Sequence, residues 1–180
     1  AWGSQNNYCF TTTALTSQIW LIYEKDNDWH AESVGTIGDP AKIPLPVDIS
    51  ISADDQHLWV NTWNDGMTRV FDISDPHNAV EKVAHKIGDQ VNMLSQSWDG
   101  KRVYFTSSLL ANWDKGDVPD VEGPPQFFKA YDSDGMGGLT HKFTIDFGAE
   151  KLGMPHQMRF GAYSLYSKTP ENKNMAELSQ

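Results

Sequence analysis

One cysteine, Cys9, is the whole thiol inventory of this 180-residue chain. That excludes an internal disulfide and a cysteine-rich zinc site, and it leaves the redox compartment open. Basic side chains are scarce as well. Fourteen Lys and Arg stand against 24 Asp and Glu, a formal net charge of −10, and they are scattered rather than gathered. Such a chain offers no stripe able to neutralise a phosphate backbone, so nucleic acid is not an expected partner. No apolar run approaches the ~20 residues needed to cross a bilayer as a helix, and no membrane partner is expected. The N-terminus, Ala1-Trp2-Gly3-Ser4, lacks an initiator Met, a basic region and a hydrophobic stretch. Either a targeting segment has been removed or the chain begins inside a longer protein. Helical periodicity is also nearly missing.

What is present is aromatic and strand-like. Aromatic residues make up 12% of the chain and include seven Trp, which argues against disorder because large rings need somewhere to be buried. Short runs of β-branched and aromatic residues are separated by Gly, Pro, Asn and Asp. They predict strands at Tyr8–Thr13, Gln18–Glu24, Val47–Ser52, His57–Thr62, Thr68–Ile73, Met93–Ser97, Val103–Ser107, Phe127–Asp132 and Phe143–Phe147. From His57 onward, Leu58 and Val60 alternate with His57, Trp59 and Asn61, the period of two that a sheet requires.

A repeat lies beneath these strands. The stretch from Ile51 to Val60 aligns with Gln96 to Phe105 at an offset of 45 residues, each reading as strand, Ser-x-Asp turn, strand. A third copy, Cys9 to Ile22, aligns with Trp59 to Asp72 at an offset of 50. Periods of about 40–50 residues built from four short strands mark the blades of a β-propeller, with a β-sandwich of similar hairpins as the alternative. An all-β fold of this period needs neighbouring blades to cover each sheet. The chain holds about three to four blades, so the expectation is part of a larger ring. Residues 1–167 would form the blades and the polar stretch 168–180 a C-terminal tail. A long insertion between Ser108 and Phe127, containing Trp113, Asp114 and Lys115, replaces a much shorter hairpin near Trp63–Met67. Long loops on rigid scaffolds often border binding sites, so this one is expected at the channel mouth or against a neighbouring subunit.

Chemical motifs are sparse. The six histidines, His30, His57, His77, His85, His141 and His156, form no His-x-His or His-Glu-x-x-His pair, so spacing announces no metal site. His30, His77 and His141 fall in apparent hairpin or turn contexts and read as surface histidines. His156 stands apart, in the Gly- and Pro-bearing stretch Leu152-Gly153-Met154-Pro155-His156-Gln157-Met158-Arg159. By spacing it remains either a metal ligand or a structural histidine. Asp132-Ser133-Asp134-Gly135 hints at calcium, but an EF-hand counted from Asp132 puts Phe143 where the bidentate Glu belongs. A hairpin turn is the better reading. Gly135-Met136-Gly137-Gly138 is not a dinucleotide loop, and no Gly-x-Ser-x-Gly elbow occurs. Cys9, set among strand residues, reads as a small buried hydrophobe rather than a nucleophile.

Several segments taken together resemble the selenium-binding protein / methanethiol oxidase family. They are Val47 through Val60, Asp72-Ile73-Ser74-Asp75-Pro76, Ser97-Trp98-Asp99-Gly100-Lys101-Arg102-Val103-Tyr104, Trp113-Asp114-Lys115, Asp146-Phe147-Gly148 and Pro155-His156-Gln157-Met158-Arg159-Phe160. The likeness runs from about Tyr8 to Tyr166. It implies a seven-bladed propeller, of which this chain is the C-terminal part, with the remaining N-terminal part as its first partner. In bacteria the family's members are periplasmic copper enzymes. They turn methanethiol, oxygen and water into formaldehyde, hydrogen sulfide and hydrogen peroxide. His156 matches the histidine of the family's late His-Glu-Met/Leu-Arg-Tyr motif, which makes it the favoured copper ligand, and Arg159 matches the arginine, a supporting residue. Trp113 and Asp114 are the residues expected at the channel mouth.

The late motif departs in two places. Gln157 occupies the place of the usual Glu, and Phe160-Gly161-Ala162-Tyr163 replaces the Tyr-Pro-Gly-Gly-Asp ending. The family's N-terminal His-rich and Cys-containing motifs are absent, which puts most of the metal shell outside this sequence. Copper suits the implied reaction because thiol oxidation by oxygen moves electrons, and zinc has no accessible redox state. The expected partners are therefore a small thiol substrate and oxygen, with a homo-oligomer left open. The reading from a different class is a noncatalytic propeller that carries a metal or a selenium or thiol species, or serves as an interaction platform.

Overall fold

The computed structural model describes residues 1–3, 6–108 and 126–159. Eleven strands occur among them. β1 (Tyr8–Thr13), β2 (Gln18–Lys25) and β3 (Asp28–Thr36) form one sheet. β4 (Pro46–Ile51), β5 (His57–Thr62), β6 (Met67–Asp72) and β7 (Val80–Lys86) form a second. The third contains β8 (Val91–Gln96), β9 (Arg102–Ser107), β10 (Phe127–Ser133) and β11 (Leu139–Asp146). Within each sheet the strands lie in chain order and every neighbouring pair is antiparallel. These are propeller blades, three in number. Blade 1 has a short innermost element, where Ala1 and Phe10 exchange backbone hydrogen bonds of 2.8 Å and Trp2 bridges to Cys9.

The apolar core lies between the blades, and this rules out a two-sheet sandwich. One cluster packs Phe10, Ile19, Leu21 and Val34 of blade 1 against Leu58, Val60, Phe71 and Ile73 from the second blade and the residue after it. The other packs Trp59 and Val70 of blade 2 against Leu94, Val103, Phe105 and Phe127 of blade 3. Strand β5 is thus buried on both faces, and its alternation divides the two sets: Leu58 and Val60 face blade 1, and Trp59 faces blade 3. Each fully buried large side chain contributes about 1.5–3 kcal/mol of hydrophobic stabilisation.

The Ser-x-Asp repeat folds the same way twice. Ser52 donates from Oγ to Asp54 and accepts the His57 N–H, while Asp54 accepts the Gln56 N–H. Ser97, Asp99, Lys101 and Arg102 repeat each of these bonds. The third copy needs a correction. Strand pairing places Tyr8 on His57, Thr13 on Thr62 and Gln18 on Met67, one residue out of the sequence alignment that set Cys9 on Trp59. A slip of one residue turns every side chain to the other face. Only the observed register puts Phe10, like Trp59, on the face that meets the following blade.

Two strands have no sequence counterpart, β3 and β7. Both lie outermost in their blades and are mostly exposed, rich in Asp, Glu, Lys and His. A register shift also interrupts the pairing of the third strand with the outermost one in all three blades. Such bulges break the alternation by which a strand is recognised in sequence. The stretch 168–180 and the end of the blade segment beyond residue 159 lie outside the described residues.

Candidate functional site

The innermost strands β4 and β8 lie side by side. On β4, Asp48 Oδ2 accepts the Leu94 N–H of β8 at 2.8 Å, and Ser50 Oγ accepts the Gln96 side-chain amide, also at 2.8 Å. Asp48 Oδ1 meanwhile accepts the N–H of Ile49. Burial pushes the Asp48 carboxyl above the usual carboxylate range, opposed by these two N–H donors and by the nearby Ala1 amino group and Arg159 guanidinium. Because its folded value is raised, Asp48 contributes stability below the ordinary carboxylate range and loses it as pH rises through that raised value.

Residues 154–159 run beside β8 and β9. Ser95 Oγ donates to the Met158 carbonyl at 3.4 Å, Thr106 Oγ1 of β9 donates to the His156 carbonyl at 2.6 Å, and Pro155 is buried. These anchors fix the backbone on both sides of His156, at the end of blade 3 where β8 begins and away from the Ser-x-Asp turns. The His156 ring itself is exposed. Its Nδ1 lies 2.9 Å from the Ser108 carbonyl oxygen, a contact that requires the proton on Nδ1. In the neutral ring the other nitrogen, Nε2, then carries the lone pair, and it has no hydrogen-bond partner among the described residues. A backbone carbonyl on one nitrogen with the other left as a donor is the usual arrangement of a metal-binding histidine.

Three of the remaining histidines are hydrogen-bonded elsewhere. His85 Nε2 bonds the Gly137 carbonyl at 2.7 Å, His77 pairs with Glu32, and His141 meets Thr144. His30 and His141 lie on β3 and β11 rather than in turns, and His30 stacks on Tyr23. His57 starts β5, the opposite end of that strand from Asn61. Among the described residues no three His, Cys, Asp or Glu side chains gather as a metal cluster. His156 thus stands without a His, Cys, Asp or Glu cluster around it among the described residues. Arg159 is exposed and acts on Asp48 through its charge. Trp113 and Asp114 lie outside the described residues, but Ser108, just before them in the chain, is the residue bonded to His156. Asp134 accepts the N–H groups of Met136 and Gly138, the hairpin turn expected in place of a calcium loop.

Sequence reasoning did not find Asn92, Thr106 or Ser108 as partners of His156. They carry no motif, and only the pairing of β8 with β9 brings residues so distant in the chain together.

The model of the 56 kDa selenium-binding protein family matches residues 2–165. The chain belongs to that family. A methanethiol oxidase of Ruegeria pomeroyi is 59% identical over 92% of this chain and 37% of its own length. One from a Hyphomicrobium species is 55% identical over 88% of this chain and 35% of its own. A hypothetical selenium-binding protein from Sulfolobus tokodaii, solved by X-ray crystallography, superposes with a TM-score of 0.61 at 31% identity, over 78% of this chain and 38% of that one. The chain thus spans little more than a third of the length of the curated relatives it matches.

Proposed function

We propose that the polypeptide to which this chain belongs is a copper-dependent oxidase of methanethiol or a similar small thiol. It would convert the thiol, oxygen and water into formaldehyde, hydrogen sulfide and hydrogen peroxide. The observation that carries the reading is the locked His156 ring, with Nδ1 bonded to the Ser108 carbonyl and Nε2 left to donate. The two relatives named methanethiol oxidase supply the substrate class.

Imidazole nitrogen fits copper, with the other ligands supplied from outside the described residues. When bound, copper supplies an electron acceptor and a soft partner for a thiolate. The chain's own residues do the rest. Thr106 and Ser95 hold the backbone that carries His156. Arg159 cannot bind a cation, but its charge favours an anion such as a thiolate in the same region. The proposal includes a periplasmic location, which cell fractionation checks.

The test is His156→Ala in the full-length protein. Copper content measured by elemental analysis should fall, and methanethiol oxidation should be abolished. Circular dichroism and the melting transition should stay near wild type, since the ring is exposed. Copper and turnover that both survive would return His156 to a structural role. A wild-type protein that binds metal but consumes no thiol would favour the noncatalytic carrier.

A further inference from the structure

The Ser108 carbonyl is held by more than His156. Asn92, the second residue of innermost strand β8, is fully buried, and its Nδ2 donates to the same oxygen at 2.7 Å. The 3.3 Å approach of Asn92 Nδ2 to His156 Nδ1 is then two N–H donors side by side on one acceptor. The amide orientation of Asn92 follows, because a flipped amide would set oxygen against oxygen. Its Oδ1 is buried with no hydrogen-bond partner, a cost the site accepts to keep Nδ2 on Ser108. From the neighbouring blade, Asn61 Nδ2 donates to the Asn92 backbone carbonyl at 2.8 Å, and Asn61 is also fully buried. Ser108 itself has φ of 84°, left-handed backbone that a residue with a Cβ adopts only when its surroundings enforce it.

From this geometry we infer that Asn92 is a positioning residue for His156. It pins a strained carbonyl in the place where that carbonyl selects the imidazole tautomer, so that Nε2 faces outward as the ligand. Asn61 braces Asn92 across the gap between blades 2 and 3. The inference rests on the proposed metal role of His156, but its first consequence is a tautomer and needs no metal. Without the Asn92 donor, Ser108 can relax from its left-handed conformation and turn its carbonyl away. Nδ1 then loses its fixed acceptor, and the ring is free to carry its proton on either nitrogen.

The experiment uses full-length protein labelled with ¹⁵N-histidine and stripped of metal with a chelator. Long-range ¹H–¹⁵N correlation reads the tautomer of His156, assigned by the signal that disappears in His156→Ala. Wild type should show the Nδ1–H form. Asn92→Leu fills nearly the same space and has neither a donor nor an acceptor. Asn92→Ser, whose hydroxyl is too short to reach Ser108, removes the donor as well. Both should populate the Nε2–H form, and both should bind copper at least about tenfold more weakly in a competition titration. A purely structural Asn92 would lower the melting temperature in these variants and leave the tautomer unchanged. A wild-type tautomer and wild-type copper affinity in both variants would overturn the inference. If the unmutated protein takes up no copper, the proposed function fails, while the tautomer comparison still decides the role of Asn92.

Discussion

A single hydroxyl shows how residue-scale chemistry organises this molecule. Ser52 is almost fully buried and closes the β4–β5 turn through its bonds to Asp54 and His57. Its hydroxyl is the chief reason that the Asp54 carboxyl lies below the usual carboxylate range. A depressed carboxyl contributes stability above its ordinary value and loses it as pH falls through the lowered one. Ser52→Ala should therefore cost about 1–2 kcal/mol near neutral pH. The gap from wild type should narrow below the Asp54 transition, and the Asp54 carboxyl should titrate closer to its ordinary value. Urea midpoints at neutral and strongly acidic pH, with carboxyl-carbon NMR, check all three. An Asp54 titration unmoved by the substitution would show that the backbone donor of Gln56 governs this carboxyl instead.

At the scale of elements, stability resides in the seams between blades. Trp59 is wholly buried on β5 and fills the seam between blades 2 and 3. Trp59→Ala should cost about 3–5 kcal/mol. The indole N–H has no acceptor in its buried site, so its removal relieves a desolvation cost. Trp59→Phe should thus cost less than half as much as Trp59→Ala, and thermal or urea unfolding of both variants measures the ratio. Equal costs would reveal a hydrogen bond to the indole. The outer strands behave differently. β3 and β7 pair along one edge only and carry mostly solvated side chains, so their formation follows from the strand inside them rather than from their own apolar pattern. That is why β5 could be read to the residue from alternation, and β3 and β7 could not be read at all.

For the whole molecule, the telling feature is the face that blade 3 turns outward. Tyr104, Ala130 and Phe143 lie in one row across paired strands, as Trp59, Val70 and Val83 do in blade 2. In blade 2 that row is packed into a seam, whereas in blade 3 Phe143 is 46% exposed and stacks on Phe128, which in turn lies tilted against Tyr104. Phe143→Asp in the full-length protein should cost about 2–4 kcal/mol, where a surface position would change stability by no more than about 0.5. A melting temperature within a degree of wild type would mean that no further blade covers this face.

Sequence by itself determined the blade architecture, because alternation on central strands and the paired Ser-x-Asp turns are local and repeat along the chain. The metal-ligand candidate was also legible there, though through family likeness to the Pro155-His156-Gln157-Met158-Arg159 stretch and not through any spacing of ligands. The tertiary structure alone decided the register of the copy in blade 1, because one residue of slip leaves the composition of a strand unchanged while exchanging its faces. It alone decided which nitrogen of His156 is left to donate. That choice depends on Asn92 and Ser108, 64 and 48 residues away along the chain, whose convergence is a consequence of strand pairing and leaves no trace in local sequence.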